Sequence, residues 1–252
     1  QPPGADPHAG WCGRGAVIVA APYPDYSPGM PLPKFSFDPQ SLPVDAIAGE
    51  AALGHERMLE DWLRQRFAAP PQWNPETADE SLAARRDMTA ASVLVPLVQR
   101  AEGLHLLLTR RTDHLSAHAG QISFPGGRAE PEDSSAIDTA LRETEEEIGL
   151  ARRHIDVIGL LPDYVTGSGY RVTPVVGLVH PPFTLTPDAD EVADVFEVPL
   201  SFLMDGMNHQ RLSVELPEGA GRRRFYAMPY GQHFIWGATA GMLRNLFHLL
   251  RA

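Results

Sequence analysis

The sequence contains a single cysteine, Cys12, and comparatively few positive charges among its 252 residues. One cysteine cannot form a disulfide within the chain or a cysteine-rich zinc site. The 21 lysines and arginines are outnumbered by 32 aspartates and glutamates, which gives a formal net charge of −11. This balance argues against a nucleic-acid-binding surface and against an anionic membrane partner, since both require positive charge. We therefore expect a protein of the reducing cytoplasm.

Long apolar runs are also absent. No run approaches the roughly 18 residues that a membrane-spanning helix needs. The longest one near the start, at residues 16–21, falls short of the roughly 7–15 apolar residues of a secretory signal. Apolar residues still make up 43% of the chain, which is enough for a substantial core. The sequence thus predicts a soluble globular protein.

The first part of the chain is rich in proline and has no regular apolar period. Seven prolines fall between residues 22 and 43, so we predict that residues 1–45 are extended or disordered. Residues 1–29 precede the first methionine, Met30, and we leave them outside the predicted fold. Packing of these residues in the core would contradict that prediction.

Residues 46–86 are predicted to form a helical extension and a linker. The apolar face of a helix over residues 46–67 would contain Leu53, Met58, Leu59, Trp62, Leu63 and Phe67. Such a face is typical of a docking helix. We expect it to dock on the main domain or on a second copy of the chain in a homodimer.

Residues 87–252 are predicted to form one α/β domain. Segments rich in Val and Leu at residues 90–99 and 104–109 indicate a hairpin. Further strands are predicted at residues 121–124, 155–161, 171–178, 191–198, 212–216, 224–228 and 234–236. Helices are predicted at residues 134–148, 200–204 and 238–250. Strands interrupted by a few helices favour an α/β sandwich over an alternating parallel fold.

The helix predicted at residues 134–148 follows a Pro-Gly-Gly turn at residues 125–127. Asp133, Ser134 or Ser135 can cap its start, and Gly149 can end it in a left-handed turn. The order strand, glycine turn, helix lets the backbone approach a phosphate closely. The apolar stripe of this helix is spaced i, i+3, i+4, i+7 and i+11 and contains Ile137, Ala140, Leu141, Thr144 and Ile148.

The same helix carries Glu143, Glu146 and Glu147 at i, i+3 and i+4. Like charges at this spacing repel by about 0.2–0.5 kcal/mol per pair, so folding alone does not favour the pattern. A divalent cation reverses the argument, because Mg²⁺ and Mn²⁺ prefer carboxylate oxygens. Arg142 can hold one carboxylate through its planar fork while the others bind metal. The alternative is a solvated acidic face, which is the commoner interpretation of an isolated acidic run.

The motif RETEEEIGL at residues 142–150 resembles the second half of the Nudix box, and Gly127 with Asp133 resembles the first half. Two features depart from the common box. Asp133 stands where the family usually has a glutamate, and the spacing from it to Arg142 is one residue longer. This longer form, preceded by LSAHAGQISFPGG at residues 115–127, resembles the coenzyme A pyrophosphatase branch.

The resemblance covers roughly residues 87–252 and implies a Nudix-type α-β-α sandwich with a mixed central sheet. It further implies a hydrolase of nucleoside diphosphate derivatives, which uses Mg²⁺ or Mn²⁺. The implied roles are metal binding and catalysis for Glu143, Glu146 and Glu147, and orientation of a glutamate by Arg142. The Gly126-Gly127 turn would hold the helix against the sheet.

Other residues are candidates for substrate contact. Arg110, Arg111, Arg128 and Gly127 could meet phosphates, although isolated arginines are more often solvated surface charges. His118 lies near the glycine turn, and a histidine bonded to local backbone is its alternative interpretation. Glu191 resembles a position that some family members use near metal or base, and a surface strand residue is its alternative.

Three functions follow from this interpretation. The first is hydrolysis of coenzyme A or its derivatives to 3′,5′-adenosine bisphosphate and 4′-phosphopantetheine. The second is a Nudix enzyme for another nucleotide, such as NADH, a sugar nucleotide or an unusual nucleoside triphosphate. The third is a nonenzymatic nucleotide sensor that keeps the fold, against which the retained carboxylates and Arg142 argue.

Overall fold

The computed structural model describes residues 37–76, 88–112, 120–216 and 221–252, and the two short strands Ile18–Val19 and Lys34–Phe35. We number the strands β1 Ile18–Val19, β2 Lys34–Phe35, β3 Val44–Ile47, β4 Thr89–Arg100, β5 Gly103–Arg111, β6 Ile122–Ser123, β7 Gly126–Arg128, β8 Ile155–Leu160, β9 Tyr164–Val165, β10 Tyr170–Val179, β11 Val192–Pro199, β12 Gln210–Glu215, β13 Arg222–Tyr230 and β14 His233–Trp236. The helices are α1 Glu60–Ala68, α2 Ala136–Ile148, α3 Leu200–Leu203 and α4 Gly237–Arg251.

A mixed sheet forms the centre of the molecule. Its strand order is β11-β5-β4-β10-β8, and the short strands β6, β7 and β9 pair with β5, β4 and β10. β4 and β10 run parallel, whereas the other neighbours are antiparallel. A smaller antiparallel sheet has the order β14-β13-β12-β3. The mixed central sheet agrees with the predicted fold class.

Side chains alternate along each strand, so the central sheet has apolar residues on both of its faces. Each face packs against a different helix. On one face, Leu94 of β4 packs with Ala140 of α2. On the other face, Val95 and Leu97 join a larger core that contains Leu246 of α4. The sheet therefore lies between α2 and α4, which confirms the predicted α-β-α sandwich.

The N-terminal segment packs against the same domain. Leu63 of α1 is fully buried in the larger core. The ring of Phe67 lies against Gly159 of β8, where a Cβ would come within 2.6 Å of it. Arg64 Nη1 also forms an ion pair of 2.5 Å with Asp156 Oδ2. Residues 44–76 thus share the core of the main domain.

The predicted helix over residues 46–67 is wrong in its bounds. β3 occupies Val44–Ile47 and pairs with β12, a turn of 3₁₀ helix covers His55–Met58, and α1 begins only at Glu60. Strand pairing to a distant segment overrides the local apolar period here. Most of the Pro-rich region at residues 1–45 lies outside the described residues.

A buried arginine ties this segment to the last helix. Arg244 of α4 is 1% exposed, and its guanidinium donates two hydrogen bonds to Glu50, of 3.0 and 2.8 Å. It also donates to Nδ1 of His209 at 3.0 Å, while Nε2 of that imidazole donates to the Leu203 carbonyl at 2.8 Å. The imidazole is therefore neutral, with its proton on Nε2. Burial lowers the pKa of His209 to about 4.

The remaining strand and helix predictions are confirmed to within a few residues. The structure adds β1, β2, β3, β7 and β9, none of which has more than four residues. These strands are too short to show an alternating pattern in the sequence. Within the described residues, no helix combines the length and the apolar character needed to cross a membrane.

Candidate active site

The acidic helix is formed and ended as its sequence predicts. Ser135 caps α2, since its hydroxyl accepts a hydrogen bond of 3.2 Å from the Asp138 N–H. Gly149 ends the helix in the left-handed region with φ 69°. Ala140, Thr144 and Ile148 are buried on its inner face. This packing holds the neighbouring edge of α2, with Glu143 and Glu147, against β7.

Gly126 and Gly127 belong to β7 and pair with Val93 and Ser92 of β4, so the predicted turn is a short strand. Gly126 has φ 150°, and a Cβ there would lie 2.4 Å from the Ser92 carbonyl oxygen. A Cβ on Gly127 would lie 2.4 Å from Oε2 of Glu143. Only glycine lets the strand and the carboxylate approach so closely.

Arg142 organises the acidic residues of α2. Its Nε and Nη2 donate to the two oxygens of Asp133 at 2.8 and 2.9 Å. Its Nη1 donates to Glu143 at 3.0 Å and to Glu146 at 2.9 Å. The Arg142 guanidinium holds the pKa of Asp133 well below its usual range. The longer spacing between Asp133 and Arg142 therefore still permits a two-point contact.

Glu147 is the most buried carboxylate of the site. Its Oε2 accepts a hydrogen bond of 3.0 Å from the Gly126 N–H, and its Oε1 lies 3.6 Å from Nη1 of Arg111. Burial raises the pKa of Glu147 to about 8, and the negative charges of Glu143 and Glu191 add to the rise. The hydrogen bond from Gly126 and the positive charge of Arg111 lower the pKa of Glu147, but by less than burial raises it.

Glu143 and Glu146 differ in exposure. Burial raises the pKa of Glu143, although its hydrogen bond with Arg142 opposes this rise. The side chain of Glu146 is 60% exposed. Within the described residues, no three acidic, histidine or cysteine side chains are already grouped as metal ligands. Glu143 and Glu146 instead accept hydrogen bonds from Arg142, and Glu147 accepts one from Gly126.

The donor set nevertheless fits a divalent cation. Glu143, Glu147 and Glu191 lie close enough for the charges of Glu143 and Glu191 to raise the pKa of Glu147. Oxygen ligands are those that Mg²⁺ and Mn²⁺ prefer. A divalent cation among these carboxylates would offset both the mutual repulsion and the cost of burying negative charge.

The structure brings Arg111, and not Arg110, to the carboxylates. Arg111 shares the face of β5 with Leu107, which packs with Ile148 of α2. Arg110 has the parity of Leu108, which belongs to the larger core on the other face. The sequence interpretation named Arg111 only as one of three arginines that could meet a phosphate, and the alternation of β5 together with the position of α2 is what directs it to the carboxylates.

The other predicted substrate residues lie at different distances from this group. Glu191 Oε2 lies 3.8 Å from Arg111 Nη1, and its side chain is 44% exposed. Arg128 is exposed and donates two hydrogen bonds, of 3.0 and 2.7 Å, to the Tyr170 hydroxyl. His118 lies outside the described residues. Glu191 therefore joins the carboxylate group, while Arg128 lies at its rim beside Arg142, which bonds the Arg128 carbonyl.

A buried acidic helix edge, packed on a Gly-Gly strand and organised by an arginine, defines a site of the kind that handles phosphate through divalent metal ions. Comparison with known proteins agrees. The NUDIX domain matches residues 88–211. An uncharacterised Nudix hydrolase of Yersinia enterocolitica, NudL, is 46% identical over 156 residues, which are 62% of this chain and 78% of NudL. NudL of Escherichia coli K12 is 40% identical over 189 residues, covering 75% of this chain and 92% of that protein.

The chain belongs to the Nudix hydrolase family and is a hydrolase that acts on diphosphate bonds. Members of this family generally use divalent metal ions. Among solved structures, a MutT/nudix family protein from Enterococcus faecalis is 18% identical with a TM-score of 0.41, covering 69% of this chain and 63% of that one. That likeness is too distant to support an argument about function.

Proposed function

We propose that the protein is a Mg²⁺- or Mn²⁺-dependent pyrophosphatase of coenzyme A or its derivatives. The proposed hydrolysis is supported by the grouping of Glu143, Glu146 and Glu147 with Arg142 beside the Gly126-Gly127 strand. The coenzyme A part depends on the resemblance of residues 115–127 and of the lengthened box to that branch.

The reaction is attack of water on one phosphorus of the diphosphate. The water oxygen forms a bond to that phosphorus and releases one proton, the bond between that phosphorus and the bridging oxygen breaks, and 3′,5′-adenosine bisphosphate and 4′-phosphopantetheine leave. Glu143, Glu146 and Glu147 would hold the metal, which when bound supplies positive charge against the phosphate oxygens. The hydrogen bonds of Arg142 keep Glu143 and Glu146 together, and the Gly126 N–H keeps Glu147 against the strand.

Arg128 supports the proposal at the rim of the site. Its guanidinium is held by the Tyr170 hydroxyl, and its ring contact with Tyr170 measures 5.4 Å from Cζ to the ring centroid. An oriented cation next to the acidic group suits an anionic substrate, which the overall negative protein must otherwise repel. We propose that it contacts a phosphate of the substrate.

A substrate panel tests the assignment. The full chain with Mg²⁺ or Mn²⁺ would be incubated with coenzyme A, NADH, a sugar nucleotide and a nucleoside triphosphate, and the products separated by chromatography. Coenzyme A should be consumed fastest, with the two products in equal amounts, and chelation should stop the reaction. If coenzyme A survives while NADH or another diphosphate is cut, the substrate assignment fails. Hydrolysis of any of them rules out the nonenzymatic sensor.

Glu146→Gln separates metal-dependent catalysis from folding. Because Glu146 is exposed, the variant should fold normally, while turnover should fall by about 100-fold or more, since loss of even an outer partner of a metal costs about 10–100-fold. Glu145→Gln is the matched control, because Glu145 lies on the same helix and is 50% exposed near Arg152. Equal activity of the two variants would contradict the role of Glu146.

We further propose that the protein is cytoplasmic, because its single cysteine needs no oxidising compartment. Fractionation of cells that produce the protein checks this. Residues 44–76 pack on their own chain in the structure, and the homodimer stays a prediction that light scattering of the purified protein can test.

A further inference from the structure

Arg111 is a buried cation that the function proposed above does not yet use. Its side chain is 8% exposed and lies between two carboxylates from separate segments. Nη1 is 3.6 Å from Glu147 of α2 and 3.8 Å from Glu191, the residue just before β11. No hydrogen-bond partner for its Nε lies in the part of the chain that the structure describes.

The backbone of Arg111 is held on both sides. Its N–H donates to the Gln121 carbonyl at 3.0 Å, and its carbonyl accepts from the Gly120 N–H at 3.2 Å. The next residue, Thr112, donates its N–H to the Glu191 carbonyl at 3.0 Å. The position of the guanidinium relative to Glu191 is therefore set by strand pairing.

The charged side chains of the site differ in how deeply they are buried. Arg111 and Glu147 are both buried, whereas Glu191 is 44% exposed and Glu146 is 60% exposed. A substrate that reaches the exposed carboxylates would not reach a cation beneath them. Arg111 thus lies where it can act on the carboxylates and not where it can bind the substrate directly.

We propose that Arg111 is a positioning residue that holds Glu147 and Glu191 toward each other, so that Glu191 becomes part of the metal-binding carboxylate group. A guanidinium suits this role, because its Nη1 lies 3.6 and 3.8 Å from the two carboxylates and is held in a rigid planar group, while a lysine ammonium is a point charge on a flexible stem. This inference depends on the proposed function only through the divalent metal and not through the identity of the substrate.

A positioning role and a simple counterion role predict opposite effects of removing Arg111 on Mn²⁺ binding. If Arg111 only balanced charge, its removal would strengthen Mn²⁺ binding, because a positive charge near the ligands would be lost. If Arg111 orients the two carboxylates, its removal weakens Mn²⁺ binding despite the charge. Loss of an outer partner of a metal ligand typically weakens metal binding by about 10–100-fold.

The experiment measures Mn²⁺ binding alone, by calorimetry on the metal-free full chain, for Arg111→Met, Arg111→Lys and Glu191→Gln. We expect Arg111→Met to weaken binding by about 10–100-fold, and Arg111→Lys to recover part of it. With whichever diphosphate the wild type cuts best, kcat should fall and KM should stay within about threefold, because uniform substrate binding is untouched. Arg100→Met is the control, since Arg100 pairs with Glu197 and should leave both quantities unchanged.

A double-mutant cycle decides whether Arg111 acts through Glu191. The effect of Arg111→Met together with Glu191→Gln should be smaller than the product of the single effects, since the two residues act through one arrangement. If Arg111→Met does not fold, the cycle with Arg111→Lys replaces it. Unchanged or tighter Mn²⁺ binding, or a change in KM alone, overturns the proposal, as does a wild type that binds no Mn²⁺. A wild type that binds Mn²⁺ but spares coenzyme A defeats only the substrate assignment.

Discussion

At the scale of residues, Glu143, Glu146 and Glu147 lie on one helix but meet different surroundings. Glu146 extends into solvent, Glu143 lies against Gly127, and Glu147 is buried beside Gly126 and Arg111. Burial penalises the charged form of a carboxyl, so it raises the pKa of Glu143 and of Glu147. The cost of keeping Glu147 in the interior is what a bound cation would offset.

Glu147→Gln should therefore stabilise the metal-free protein while it removes activity. The pKa of Glu147 is about 8 in the folded state against 4.5 as a free side chain. The folded state thus binds more protons between these values, and the contribution of Glu147 to stability falls as pH rises from about 4.5 to 8. At pH 9 the variant should be roughly 2–4 kcal/mol more stable than the wild type.

Urea unfolding with chelator present, at pH 5 and pH 9, checks this prediction. The stability gain should be larger at pH 9 than at pH 5, because Glu147 is ionised in both states only at the higher pH. Glu145→Gln is again the control, since Glu145 is exposed on the same helix. A variant less stable than the wild type at pH 9 would show that the ionised carboxylate is well compensated.

At the scale of elements, α1 shows that the N-terminal segment belongs to the folded unit. Leu63 is fully buried, whereas Leu59, just before the helix, is 47% exposed. The buried side chain joins the core on the face of the sheet opposite α2. The segment therefore supports the sheet from the face opposite the acidic helix.

Leu63→Ala should cost about 2–5 kcal/mol of unfolding free energy, because it leaves a cavity in the core. Leu59→Ala should cost about 0.5 kcal/mol or less, as for other surface substitutions. Neither variant should change turnover at temperatures where both are folded. Equal unfolding midpoints in urea for the two variants would contradict the packing of α1 on the sheet.

At the scale of the whole molecule, the buried charges around Arg244 connect the first and last segments of the described chain. Glu50 and Glu76 precede the sheet, while Arg244 and His248 belong to the final helix. The hydrogen bond with Arg244 lowers the pKa of Glu50 to about 2, and that with His248 lowers the pKa of Glu76 to about 2. Acid should therefore weaken this connection.

His209 adds a pH dependence closer to neutrality. Its pKa is about 4 in the folded state against 6.5 as a free side chain, so the unfolded state binds more protons between these values. Its contribution to stability is full above pH 6.5 and is lost as pH falls to about 4, by roughly 2–3 kcal/mol. Protonation of Glu50 and Glu76 extends this loss of stability from about pH 4.5 toward pH 2.

His209→Gln should remove this part of the dependence. Unfolding of the metal-free protein would be followed from pH 7 to pH 4. Because both proteins contain Glu147, its opposing effect cancels in the difference in unfolding free energy between variant and wild type. That difference should shrink as pH falls, because only the wild type loses stability through His209. His55→Gln, at an exposed imidazole, should show a constant difference, and a constant difference for His209→Gln would disprove the prediction.

Local patterns predicted much of the fold because they depend on neighbours in the chain. The caps and apolar stripe of α2 and the long strands β4, β5 and β10 need only helical or alternating periodicity. β3 and β7 were not predicted, because each follows a proline that indicates a turn, and the strands form only through pairing with β12 and β4. The burial of Arg244 was not predicted either, since a charged side chain on a terminal helix is normally solvated.

The sequence by itself determined that Glu143, Glu146 and Glu147 share one helix edge with Arg142, because spacing on a helix is a local property. The tertiary structure decided which of these carboxylates is buried and that Arg111, not Arg110, faces them. The reason is that β5, α2 and the start of β11 come from separate parts of the chain. Only their packing places Gly126, Arg111 and Glu191 around Glu147.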